Sequence, residues 1–257
     1  MNAMIFAAGL GTRLRPLTDN KPKALVEFNG QTLLQWNIMR LLKAGFNRIV
    51  VNVHHFAPLV IKYIDDNKGF GADIIVSDES DQLLDTGGGL KKARGHFNDS
   101  QPILIHNVDI ITNIDLMALY SYHKAQHALA TLAVRNRKTS RVLLFDDEDL
   151  LRGWRNNSTG ELKLPLVNTQ PEKLTPLAFS GIQVINQELL RLMTETGKFS
   201  MIDVYLRLSA IHPVMAYRHN SDYWTDVGKI DELKAAEEKL RANELWYNIK
   251  ATTNGKL

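Results

Sequence analysis

The chain has 257 residues, 44% hydrophobic and 23% charged, an ordinary balance for a globular protein and enough length to bury a substantial α/β core. Net charge is only +3 and no dense Lys/Arg run reads as a nucleic-acid tract, while zero cysteines exclude a disulfide framework, a thiolate metal site and a cysteine nucleophile. No run reaches the ~18 apolar residues of a membrane span, and the first residues lack the charged start of a signal peptide. The expectation is a cytoplasmic protein with neither nucleic acid nor membrane as a partner.

In chain order, Met4–Ala8 is predicted as a first strand, leading directly into the loop Gly9-Leu10-Gly11-Thr12-Arg13. Thr32–Ala44 reads as a helix, with Leu34, Ile38 and Leu41 on one face, Leu33 and Leu42 beside it, and Gly45 as the stop. Arg48–Val53 is a β-branched, buried strand. Phe56–Asp66 reads as a helix, Asp73–Ser77 and Ile103–Val108 as strands, and Ile114–Gln126 as a helix with Asp115 in its first turn. This alternation implies βαβ units and a mainly parallel, Rossmann-like sheet flanked by helices. The second half changes character. Leu129–Arg135 and Arg141–Phe145 read as paired strands joined by the polar turn Asn136–Ser140, and Leu162–Gln170 is broken by proline and asparagine. Phe179–Val184 returns to strand, Lys198–Leu208 and Lys229–Asn243 read as helices, and Thr252–Leu257 as a polar, frayed tail.

The loop after the first strand carries the strongest chemical signal. Glycines let backbone N–H groups approach phosphate oxygens, and Arg13 with Lys23 adds positive charge for the same group. Neither familiar glycine motif fits. Leu14 stands where the dinucleotide fingerprint needs its third glycine, which disfavours a dehydrogenase, and it also breaks the P-loop pattern. Asp109 follows the strand Ile103–Val108, and ligands of open α/β sheets sit beyond the carboxyl ends of strands. Magnesium favours hard oxygen donors and needs only one or two carboxylates beside substrate phosphates. His54-His55 has no third ligand at a recognisable spacing, and no G-x-S-x-G elbow is present.

Ala8-Gly9-Leu10-Gly11-Thr12-Arg13-Leu14-Arg15-Pro16-Leu17-Thr18, followed by Pro22-Lys23-Ala24-Leu25, resembles the signature of the sugar-1-phosphate nucleotidyltransferases. Further pieces similar to that family occur in order: Leu84-Asp85-Thr86-Gly87-Gly88-Gly89, Asn107-Val108-Asp109, Phe179-Ser180-Gly181-Ile182 and Trp224-Thr225-Asp226-Val227-Gly228. The resemblance implies the nucleotide-diphospho-sugar transferase fold, in a single domain: a nucleotide-binding lobe over 1–128, a smaller sugar-phosphate lobe over 129–228 and a C-terminal helix and tail. No hexapeptide β-helix repeat follows.

By the same resemblance, Ala7, Ala8, Gly9, Gly11, Thr12, Thr86, Gly87 and Asn107 contact the nucleotide. Arg13 grips the β- and γ-phosphates, and Lys23 bridges the α-phosphate and the incoming sugar phosphate. Asp109 and Asp226 hold Mg2+, while Ser180, Gly181 and Lys173 face the sugar phosphate. Thr86–Gly89 is placed just before a helix start, where bare backbone accommodates a base. Two positions depart from the pattern: Val108 replaces the usual glycine before the first metal aspartate, and Leu174 replaces the proline of an E-K-P motif beside Lys173. The implied reaction joins an NTP to a sugar 1-phosphate, releasing pyrophosphate. Within the family, the chain's length and the Leu84–Gly89 string are most similar to the uridylyltransferases of N-acetylmuramate 1-phosphate, which favours UTP. Mannose-1-phosphate-type guanylyltransferases and phosphocholine cytidylyltransferases are the alternatives, and a non-catalytic nucleotide-sugar sensor is the reading from another class. The intact set Arg13, Lys23, Asp109 and Asp226 argues against a sensor.

Overall fold

The computed structural model of the protein describes residues 1–97 and 101–242. From the N-terminus run β1 (Asn2–Phe6), β2 (Glu27–Phe28), β3 (Gln31–Thr32), α1 (Leu33–Lys43), β4 (Arg48–Val53), α2 (Ala57–Asp66) and β5 (Asp73–Asp78). Next come α3 (Asp85–Ala93), β6 (Ile103–Asn107), β7 (Ile110–Thr112), α4 (Leu116–Ala125), β8 (Ala130–Arg135) and β9 (Arg141–Phe145). The remainder holds β10 (Leu151–Asn156), β11 (Leu162–Lys163), β12 (Thr175–Ile185), α5 (Glu188–Leu192), α6 (Met201–Leu208), β13 (Val214–Arg218), β14 (Trp224–Asp226) and α7 (Ile230–Ala242). The expected C-terminal helix thus begins at Ile230; its expected end at Asn243 and the Thr252–Leu257 tail lie outside the described residues.

The chain forms two compact units, interleaved along the sequence. Among the described residues, the first comprises Met1–Leu83, His106–Ile114 and 223–242; the second comprises Leu84–Ile105 and Asp115–Asp222.

In the first unit, β1, β4 and β5 pair in parallel, with Met4 opposite Val50 and Val50 opposite Ile75. The β-branched run of β4 is buried along Ile49–Val53, as a strand covered on both faces must be. Helix α1 begins where Thr32 accepts the Gln35 amide at 3.1 Å, an N-cap that satisfies one orphan donor of the first turn. Its Leu33, Leu34, Ile38 and Leu41 are fully buried, each worth roughly 1.5–3 kcal/mol of transfer free energy. Leu42, expected beside that face, is only half-buried. The helix stops at Gly45, whose φ of +84° favours glycine.

In the second unit the pairing is mixed. β8 lies parallel to β13 and antiparallel to β12, and β9 and β10 form an antiparallel pair. The expected hairpin of β8 with β9 is not formed: β12 is antiparallel to both. At eleven residues it is long enough to serve both in turn. Three strands of this unit, β10, β11 and β13, have no counterpart among the expected elements: Leu151–Asn156 carries a glycine and two arginines, Leu162–Lys163 is two residues long and Val214–Arg218 is short. Helix α4 starts at Leu116, so Asp115, expected within its first turn, is instead its N-cap, accepting from the Met117 and Ala118 amides, both at 2.9 Å.

Candidate functional site

The first unit brings Arg13, Lys23, Asp109 and Asp226 together. The loop leaving β1 turns at Gly11, whose φ is +66° and whose absent Cβ would lie 3.0 Å from the Lys23 Cβ and 3.1 Å from the Thr18 Cγ2. Glycine is required there on both counts, backbone hand and space. Thr18 donates its hydroxyl to the Gly11 carbonyl at 2.9 Å, closing the loop on itself. Thr12 and Arg13 follow in a short 3-10 turn with exposed side chains. Ala7 and Ala8 are buried at the start of the loop, whereas Gly9 is exposed and a Cβ there would meet no described atom within 4 Å. Packing therefore demands glycine at 11 but not at 9.

Lys23 opens a second 3-10 turn, after the extended Pro22, and is buried to 8% exposure with its ammonium on the Asp109 carboxylate. Asp109 lies just past the end of β6, where Asn107 is half-buried. Val108, in the place of the family glycine, is buried; its N–H donates to the Phe6 carbonyl at 3.1 Å and its carbonyl accepts from the Asn37 side chain at 3.0 Å.

Asp226 arrives from far along the chain. β14 pairs antiparallel with β7, setting Asp226 opposite Ile110, and Val227 donates its N–H to the Asp109 carbonyl at 2.9 Å. Burial, and then the charge of Asp109, push the Asp226 carboxyl above the usual carboxylate range; the Gly228 N–H, Lys23 and Arg13 oppose that shift. Arg13 lies 3.9 Å from Asp226, a loose and half-exposed pair worth little by itself. Gly228 is the hub: a Cβ there would lie 2.7 Å from the Asp226 Oδ1, 2.8 Å from the Arg13 Nη2 and 3.2 Å from the Lys23 Nζ. The sequence signal for it is visible in Trp224–Gly228, but its reason is the convergence of three charged side chains.

Two facing carboxylates with hard oxygen donors, one held above its ordinary pKa partly by the other, suit a divalent cation that also takes phosphate oxygens. Among the described residues no group of three or more His, Cys, Asp or Glu is placed to hold a metal ion. His54 is engaged otherwise, its Nδ1 2.6 Å from the Glu79 carbonyl oxygen. His106 precedes Asn107 on β6; burial first, and then Arg40, lower its pKa to about 3, so it is neutral near pH 7.

The other expected site residues belong to the second unit and lie on separate elements. Thr86 and Gly87 fall inside α3, not before it, because the helix starts at Asp85. Three successive glycines are poor helix formers. Here packing overrides propensity: Gly87 and Gly88 are buried, and the Gly87 N–H donates to the Phe199 carbonyl at 2.9 Å. A Cβ on Gly87 would stand 2.4 Å from the Phe199 ring and 2.9 Å from its carbonyl oxygen. Gly87→Ala is therefore expected to destabilise the protein by about 1–3 kcal/mol through overpacking. Calorimetric unfolding checks this, and an unchanged Tm would show that the Phe199 segment yields without cost. Thr86 accepts the Met201 amide at its hydroxyl at 3.0 Å. Ser180 is buried on β12 with its hydroxyl 2.7 Å from the His219 Nε2, and His219, lowered to about 4 by burial and then by Arg135, is neutral. Gly181 takes φ +75° at a register shift between Phe179 and Gln183, so a bulge in β12 requires glycine there. Lys173 is exposed on the turn Pro171–Lys173 that leads to β12.

No helix among the described residues is long and apolar enough to cross a membrane. Residues 2–142 match the nucleotidyl transferase family. The chain is 33% identical over 250 residues to the N-acetylmuramate alpha-1-phosphate uridylyltransferase of Caulobacter vibrioides, covering 93% of this chain and 96% of the relative. It is 30% identical over 242 residues to the protein of the same name from Neisseria meningitidis serogroup B, covering 92% and 97%. Its fold superposes with a TM-score of 0.76 on the UDP-glucose pyrophosphorylase from Acinetobacter baumanii, over 97% of each chain at 18% identity.

Proposed function

The chain belongs to the nucleotidyl transferase family, and from that premise we propose that it joins UTP to N-acetylmuramate 1-phosphate, giving the UDP-sugar and pyrophosphate. The observation that carries the reaction is the convergence of Lys23, Arg13, Asp109 and Asp226 at the end of the Gly9–Arg13 loop. The choice of substrates is supported by the two bacterial relatives that span nearly the whole chain.

A phosphate oxygen of the sugar phosphate attacks the α-phosphorus of UTP in line. The α–β phosphoanhydride bond breaks, and pyrophosphate leaves with the electron pair. No covalent protein intermediate is needed, so positioning and charge neutralisation supply the catalysis. The backbone at Ala8, Gly9, Gly11 and Thr12 cradles the triphosphate, with Gly9 leaving room for a close approach. Arg13 holds the β- and γ-phosphates. Lys23 leaves Asp109 to bridge the α-phosphate and the sugar phosphate. Asp109 and Asp226 would hold Mg2+, which when bound neutralises α-phosphate charge and aligns the attack. By the family resemblance, Asn107, Thr86 and Gly87 would contact the nucleoside, and Ser180, Gly181 and Lys173 the sugar phosphate.

The test is pyrophosphate release with four NTPs crossed against a panel of sugar 1-phosphates and phosphocholine. UTP with N-acetylmuramate 1-phosphate is expected to give the highest kcat/KM. Preference for GTP with mannose 1-phosphate makes the protein a guanylyltransferase, preference for CTP with phosphocholine a cytidylyltransferase, and binding without turnover in any pair makes it a sensor.

A further inference from the structure

Glu79, immediately after β5, is completely buried, which is costly for a carboxylate unless its environment uses it. Its Oε1 accepts from the Asn52 Nδ2 at 2.7 Å. Asn52, on β4 and 3% exposed, accepts at its Oδ1 the backbone N–H of Ala7 at 2.8 Å. That N–H and the Phe6 carbonyl belong to one peptide group, and the carbonyl accepts the Val108 N–H at 3.1 Å. Val108 is in turn held by Asn37, which also donates to the Leu33 carbonyl at 2.8 Å. The peptide from which the Gly9–Arg13 loop departs is thus clamped on one side by Asn52 and on the other by the segment bearing Asp109.

An asparagine amide is nearly symmetric in shape, so sterics alone would let Asn52 turn its donor toward the Ala7 N–H. In its ionised form the Glu79 carboxylate accepts only. Glu79 therefore fixes which end of Asn52 faces the loop. An apolar residue of similar volume would fill the same space at lower desolvation cost but could not do this. We infer that Asn52 and Glu79 are positioning residues for NTP binding: they set the orientation of the Phe6–Ala7 peptide, and through it the loop that holds the phosphates. The inference rests on the proposed nucleotidyl transfer.

A polarity swap tests it. In Asn52→Asp the new side chain still accepts from Ala7, but two buried carboxyl groups then share one site and must either repel or take up a proton between them, so the loss of UTP affinity is expected to deepen as pH rises. In the double variant Asn52→Asp with Glu79→Gln, the glutamine amide donates to the new carboxylate, whose other oxygen accepts from Ala7, so the relay is rebuilt with donor and acceptor exchanged. Asn52→Asp is expected to raise the UTP Kd and KM by about tenfold or more, as loss of a buried hydrogen-bonded contact implies, with the KM for the sugar 1-phosphate within about twofold of wild type. The double variant is expected to return the UTP Kd to within about threefold of wild type. Calorimetric titration gives Kd together with stoichiometry, so the folded fraction is known, and urea unfolding reports stability separately. If Asn52→Asp does not fold, Asn52→Ala takes its place. A shift in the urea midpoint with unchanged UTP affinity, or a double variant that regains stability but not affinity, overturns the positioning role and leaves the proposed reaction standing. A wild-type protein that binds no nucleotide overturns both.

Discussion

Asp109→Asn is expected to lower kcat/KM by on the order of 10²- to 10³-fold, the range for removing one preorganised electrostatic group from a reacting centre. The fold should survive. Asparagine keeps the shape of the side chain and an oxygen that accepts from Lys23, and its neutrality removes the like charge facing Asp226. The Asp226 carboxyl should then titrate closer to its ordinary value, because one of the two causes raising it is gone. Steady-state kinetics with magnesium, alongside calorimetric unfolding, check both halves. A folded variant turning over near the wild-type rate would remove Asp109 from the metal site proposed here.

Lys23→Ala should fail in a different way. In the resting protein Lys23 is paired with Asp109, so its charge is already engaged by a carboxylate. In the proposed reaction it moves to two phosphates that approach one another only as the bond forms. Its worth is therefore concentrated in the transition state, and the single-turnover rate at saturating UTP should fall by about 30- to 1,000-fold while the UTP Kd changes by less than about threefold. Arg13→Ala is the comparator. Arg13 is half-exposed and only loosely paired with Asp226, available to grip phosphates already present in the ground state, so its loss should weaken UTP binding as well as slow the step. Because Lys23 is buried, its removal leaves Asp109 without its cation and costs stability. The rates are accordingly measured well below the Tm of the variant. A Lys23→Ala protein that loses UTP affinity but keeps its single-turnover rate would end the bridging assignment.

The nucleotide end of the site is the most legible part of the sequence. A β-branched or apolar run, a glycine turn, a cation at fixed spacing and a strand-end aspartate are all local signals, and the structure sets Arg13, Lys23 and Asp109 around one loop. The helices that follow Thr32 and Asp115 are likewise readable, though the structure makes these two residues N-caps outside the first turn. Gly87 is harder. Three glycines read as a helix start, yet they lie within α3, since the Phe199 segment occupies the space a side chain would need. Nothing in the spacing of Thr86–Gly89 names a partner more than a hundred residues away.

By itself, then, the sequence determined the alternating first half and the loop with its cations, because periods of two and 3.6 and the demands of φ are properties of neighbouring residues. The tertiary structure alone decided which strands meet: β8 and β9 each pair with β12 rather than with each other, and β14 seats Asp226 beside Asp109. It alone also set the Glu79 carboxylate on an amide of β4 and put Gly228 under three charged side chains. The physical reason is the same in each case. A hydrophobic pattern specifies that a face must be buried, and many partners satisfy it equally well. The choice among them is made by the closing of long loops around specific hydrogen bonds and charges.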